Sequence, residues 1–158
     1  MLRKYLLAVA LATATLPFIA IVPEAHTIPS RNERRSQNYD GWQVEVKSYR
    51  TTGKTIQTER GTFNAEQTWL AVLVSIRKTK IGGSGNPPIG FVNALLVDAN
   101  GFVYPVTRID YKSRSIGDPF RLGEVRLEDL LFDVPQGTRA AQLIINSSDG
   151  EELLRLKV

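Results

Sequence analysis

The chain has 158 residues, 42% of them hydrophobic, with 20 basic and 16 acidic side chains giving a formal charge of +4. That supports one domain with a real core and is too little for two of ordinary size. There is no cysteine, and the single histidine, His26, lies outside any segment with a folding pattern; together these exclude a disulfide scaffold, thiolate and histidine metal centres, and Cys- or His-based nucleophilic sites.

Residues 1–25 read as an export signal or a membrane anchor. Arg3 and Lys4 precede an uncharged run, "YLLAVALATATLPFIAIV" from Tyr5 to Val22, which has the basic start and apolar stretch of a secretory signal. Cleavage after Ala25 fits the length but puts Pro23 at an unsuitable position, and 18 apolar or neutral residues can also just span a bilayer. A membrane tether through residues 5–22 therefore stands beside cleavage. Arg31, Arg34 and Arg35 follow closely, against the tendency of positive charge to stay in the cytoplasm. Residues 26–40 are polar and without apolar period, as in a flexible linker.

From Gly41 onward the period is two. "WQVEVKSY" places Trp42, Val44 and Val46 on one face, as a half-buried strand does. Next comes "TGKTIQTERGTF", whose Gly53-Lys54-Thr55 matches the end of a phosphate loop. A phosphate loop needs a glycine five residues earlier and a helix behind it. Ser48 occupies that place and another strand follows, so the segment is expected to be a hairpin turn and no nucleotide site. "TWLAVLVSIRK" is apolar on both faces and reads as a central strand. Its Ser75-x-x-Lys78 spells a nucleophile motif that requires a helix face, whereas residues three apart on a strand point to opposite sides. The Gly- and Pro-rich Thr79–Gly90 segment reads as the most mobile loop.

"FVNALLVD" and "FVYPV" flank Ala99-Asn100-Gly101, a hairpin in which Asn100-Gly101 supplies positive φ. Asp98 begins a fragment of a calcium loop without its later acids, so a turn is the better reading. Arg108, Lys112, Arg114 and Arg121 cluster in and beside the irregular segment "RIDYKSRSIGDPF" and could meet an anionic surface, with Tyr111 and Phe120 as recognition aromatics. "RLEDLLFDVP" is a strand ended by Pro135. Glu124, Glu128, Asp129 and Asp133 along it read as solvent-facing alternates more than as paired catalytic acids. Trp42, Trp69, Phe91, Phe102 and Phe132 are assigned to the core. "AAQLIIN" and "EELLRLKV" form a last hairpin across Ser147 to Gly150.

Seven or so strands with turn signals over residues 41–158 predict an all-β, immunoglobulin-like antiparallel β-sandwich. The succession of "GWQVEV", "GTFNAEQTWLAVLVSI", "LLVDANGFVYPV", "LLFDVP" and "AAQLIINSSDGEELLRL" resembles the DUF4352 family of exported bacterial domains. Asp98, Gly101 and Tyr104 fall in that family's L-x-D-x-x-G-x-x-Y pattern, and Leu131 to Pro135 in its Phe-Asp-Val-Pro pattern. The chain departs from it in having Leu122-Gly123 where Pro-Gly is common, and no cysteine for a lipid. The resemblance implies an immunoglobulin-like sandwich and an extracytoplasmic address; it carries no catalytic residue.

The sequence thus predicts an exported, non-enzymatic binding module, periplasmic, secreted or membrane-anchored. Its expected partner is a protein or an envelope component, with no nucleic acid, nucleotide, metal or cofactor. An anchored structural or assembly subunit is the alternative. Further behind stands an envelope hydrolase built from Glu128 and Asp133 or from Ser75 and Lys78.

Overall fold

The structure, a computed structural model, describes residues 35–58, 60–81, 91–111 and 119–158. All of them fall in one unit, Arg31–Val158. The signal or anchor expected over residues 1–25, the linker over 26–34 and most of the Thr79–Gly90 loop lie outside the described residues.

The described residues form an antiparallel β-sandwich of two sheets. One has five strands in the order β1 (Ser36–Tyr39), β2 (Trp42–Thr58), β3 (Gly61–Lys78), β7 (Val125–Val134), β6 (Arg108–Tyr111). The other has four, in the order β5 (Val103–Pro105), β4 (Ala94–Asp98), β8 (Ala140–Asn146), β9 (Glu152–Lys157). Between the sheets the inward phase of each strand interdigitates: Val44 and Val46, Leu70 to Ile76 at alternate positions, Leu130 and Phe132, Leu96, Leu143, Ile145 and Leu156. Each is nearly or wholly removed from water, and truncating one such Leu or Ile to Ala costs about 2–5 kcal/mol.

β3 sits in the middle of its sheet, as its two apolar faces require. Its second face is covered by the hairpin that leads into it. Between the pairs Gly53↔Trp69 and Thr55↔Asn64, β2 advances two residues and β3 five, so the hairpin bends sharply. Beyond the bend, Ile56, Phe63 and Ala65 pack on Trp69, Ala71 and Leu131 as a second small core. Asp133 holds the bend by accepting N–H bonds from Glu66 (2.6 Å) and Gln67 (3.0 Å), and the Trp69 indole N–H reaches the Phe63 carbonyl at 3.2 Å.

Three local expectations are corrected. Gly53-Lys54-Thr55 is no hairpin turn: Gly53, at φ 79°, sits at a register shift inside β2, and the reversal comes later, between Thr58 and Gly61. A side-chain-free residue suits a bulge as well as a turn, and the sequence does not separate the two. The linker ends sooner than residue 40, because Ser36–Tyr39 pairs with β2. There the Gln37 amide donates to the Arg155 carbonyl (2.6 Å) and accepts from the Arg155 N–H (3.3 Å), closing the seam between β1 and β9. Phe102 is 64% exposed and not core. In the adjoining hairpin Gly101 alone takes positive φ, and Asp98 Oδ1 accepts the N–H groups of Asn100 (2.8 Å) and Phe102 (2.9 Å). That carboxylate oxygen organises the turn.

Candidate functional site

The six residues singled out for recognition do not form one surface. Lys112 and Arg114 lie outside the described residues. Arg108, on β6, stacks its guanidinium over the Phe63 ring at 3.9 Å and so fastens the hairpin tip to the sheet edge. Tyr111, at the end of β6, is half-buried beneath Arg60 at 4.9 Å. Burial, with the nearby Glu128 carboxyl, pushes its phenol up from the ordinary value. Arg108 stands opposite Leu131, six steps along β7 from the end where Arg121 lies, on the order of 20 Å at the usual strand rise. Phe120 is a further correction: it is 7% exposed and belongs to the main core.

Phe120 nevertheless lines a concavity. The segment Pro119–Glu124 and Arg126 line an open groove of about 730 Å³. Its wall is a four-residue turn, closed by the Glu124 N–H to the Arg121 carbonyl at 3.0 Å, with Gly123 at φ 78°. Positive φ at the third position is the requirement of a type II turn. The Glu124 carboxylate ties this turn from inside, accepting the Arg121 N–H at 2.8 Å and Arg126 Nε at 2.8 Å. Those two bonds, the backbone one foremost, hold its carboxyl below the usual range.

Arg126 is the centre of the groove. It is almost buried, donates from Nη2 to the Pro119 carbonyl at 3.3 Å and lies over the Phe120 ring at 3.8 Å. Phe120 in turn meets Trp42 edge-on, with centroids 4.9 Å apart and planes at 87°, and Lys78 covers Trp42 at 5.6 Å. A cation, two aromatics and a second cation thus run through this end of the sandwich. Such contacts are each worth about 0.5–2 kcal/mol, the larger values where water is excluded.

Two residues beyond Arg126 on the same face is Glu128. The sequence expects it in water, yet it is buried, and its Oε2 has no hydrogen-bond partner among the described residues. Loss of hydration raises its carboxyl to about 7, against the opposing pull of the Arg126 charge. Asp129 was also expected in water and is 1% exposed. It faces the other way, toward the hairpin tip, where Arg50 grips it with two bonds of 3.2 and 2.6 Å. The buried Asp110 stands directly across from it on β6. That anionic pair, with the Asp129 hydrogen bond as the larger cause, pushes the Arg50 guanidinium above its usual value.

The acids of β7 therefore divide between two faces. Glu128 shares the face of Leu130 and Phe132, and Asp133 that of Leu131. Ser75 and Lys78 divide likewise along β3. Neither the carboxylate pair nor the Ser/Lys pair converges. A signal for Arg126 and Glu128 existed: they occupy the inward phase set by Leu130, Phe132 and Val134. Only the polarity of their side chains argued for water. Among the described residues no three acidic or histidine side chains gather as metal ligands.

The fold and groove define a class, a two-sheet antiparallel β-sandwich with a polar-floored cleft at one end. No family model matches the chain, and no curated protein matches it in sequence. Among solved structures, it is similar to that of MPT63, a secreted protein from Mycobacterium tuberculosis, with a TM-score of 0.51 and 16% identity over 74% of this chain and 82% of that one. At this identity the likeness concerns the fold.

Proposed function

We propose that this chain is an exported, non-enzymatic binding module of the cell envelope, of the DUF4352 kind, and that it recognises a protein or envelope component through the Pro119–Arg126 groove. The observation that carries the reading is Arg126. A nearly buried guanidinium, stacked on Phe120 and fixed by Glu124, forms the floor of an open cleft whose rim offers Arg121 and the exposed Leu122. A fixed cation beside apolar surface is how rigid recognition sites combine affinity with orientation. The signal-like first 25 residues and the secreted status of MPT63 support the extracytoplasmic address. The division of the β7 acids and of Ser75 and Lys78 between two faces supports a binding role over hydrolysis.

Two measurements test this. Intact mass after cell fractionation should show loss of about 25 residues from protein recovered outside the cytoplasm. Full-length protein in the membrane would favour the anchored subunit, for which the uncharged Tyr5–Val22 run is the specific support; among the described residues no helix is long and apolar enough to cross a membrane. A photo-crosslinking residue at Arg121 should give a discrete adduct in intact cells that one at Asn100 does not. Equal adducts at both positions would refute the groove as the recognition surface.

A further inference from the structure

We propose that Glu128 is the proton-controlled rival of Glu124 for Arg126, so that one buried carboxyl switches the floor of the groove between two arrangements. The inference rests on the groove reading only in making that floor functionally important; the switch itself is a property of β7. The strand carries Glu124, Arg126 and Glu128 at alternate positions, and Lys78 N–H bonding to the Glu124 carbonyl continues the ladder through Glu124. Residues two apart on a strand share a face about 6–7 Å apart. The Arg126 side chain thus stands between the two acids on this face, bonded to Glu124 and acting on Glu128 through its charge.

The structure shows one arrangement. Arg126 points to Glu124, Pro119 and Phe120, and one Glu128 oxygen is left without a hydrogen-bond partner among the described residues. Its surroundings suit a neutral carboxyl. β3 places Val74 opposite it, β6 places the Tyr111 phenol opposite it, and Arg60 of the hairpin tip is engaged over the Tyr111 ring. On its own strand and face stand the Arg126 guanidinium and, beyond it, the Glu124 carboxylate that Arg126 pairs with. An ionised carboxylate in such a place demands a cation or water. Removing the proton from Glu128 therefore draws the guanidinium back from Phe120 and the Pro119 carbonyl, and the floor of the groove loses its fixed positive end. The burial that raises the carboxyl to about 7 puts this change in the neutral range.

The test is an NMR titration of the full mature chain from pH 5.5 to 8.5, without ligand, following the Glu128 side-chain carboxyl carbon, Arg126 Nε–Hε and the Trp42 indole N–H. All three are expected to shift with one shared midpoint near 7. Glu128→Gln, the neutral isostere, should abolish the midpoint at Arg126 and Trp42. Glu124→Gln, which removes the charged rival, should lower the Glu128 midpoint. The proposal is overturned if Glu128 does not titrate in this range, if it titrates while Arg126 stays still, or if Glu124→Gln leaves the midpoint in place. Failure of the crosslinking at Arg121 would refute the groove as recognition surface and leave this titration unaffected.

Discussion

The outer face of the five-stranded sheet carries Trp69, Ala71 and Leu131, and the tip of its own β2–β3 hairpin folds back to cover them. The outer face of the four-stranded sheet is partly apolar, with Arg155 donating to the Gln142 side-chain oxygen at 2.6 Å on it. Register places Pro105, Leu95, Ile144 and Arg155 in one row across it, and Val103, Val97, Gln142 and Lys157 in the next. Ile144 is buried there but belongs to neither core cluster, and Val103 and the adjoining Phe102 are exposed. No comparable cover lies over this face among the described residues. Strand length accounts for the difference. β2 and β3 run 17 and 18 residues, whereas the strands of the other sheet run three to seven. A sandwich layer needs only about six residues per strand, and the excess in β2 and β3 supplies a cover once a bulge lets it bend.

The largest test of this comparison removes the anchor beneath the cover. Trp69→Ala deletes a buried indole and its bond to the Phe63 carbonyl, and should cost about 3–5 kcal/mol in denaturant unfolding. A cost near that of an ordinary surface change would mean that the tip rests on the sheet without stabilising it. Next in size is the buried acid on the inner face. Glu128 has its carboxyl raised from 4.5 to about 7 in the folded chain. Its contribution to stability is fully present below pH 4.5 and is lost as pH rises through 7, a fall of about 3 kcal/mol. Unfolding curves at pH 5 and 8 measure it, and Glu128→Gln should flatten the difference.

Much of the sandwich was legible because its signals are local. The alternation in β2 and β7 and the turn residues at Gly101 and Gly150 need only a few neighbours to be read. What was not legible depends on distant chain. Asp129 looks like a solvent-facing alternate until the hairpin tip is placed over its face. Ser36–Tyr39 has no apolar period, and becomes a strand only through backbone pairing and the Gln37 clasp on Arg155. Phe120 and Phe102 exchanged roles for a related reason. Sequence places both among turn residues and strands but does not show which end of the sandwich needs a plug, and Trp42 provides that place for Phe120. Of the groove, Phe120 and Arg121 were legible as recognition residues, and Arg126 was hidden by its polarity at an inward position.

A smaller effect probes the outer ion pair. Arg50→Ala takes a bidentate partner from a carboxylate that is 1% exposed and faces a second buried acid. The Arg50 end is half in water, so the loss should be about 1–2 kcal/mol, well short of that for a fully buried pair. Denaturant unfolding curves of the wild type and the variant, recorded side by side, read that loss directly.

The smallest effect belongs to the uncovered face. Phe102→Ser removes a ring that is 64% exposed and belongs to neither core cluster, so isolated stability should change by no more than about 0.5 kcal/mol. The Phe102 N–H bond to Asp98 is a backbone contact and survives the change. Against the several kcal/mol expected at Trp69, a near-zero result would show that the apolar parts of the two outer faces differ in what the chain itself does with them. A cost above 1.5 kcal/mol would instead mean that the ring is packed against chain in solution, and that the four-stranded sheet has a cover of its own.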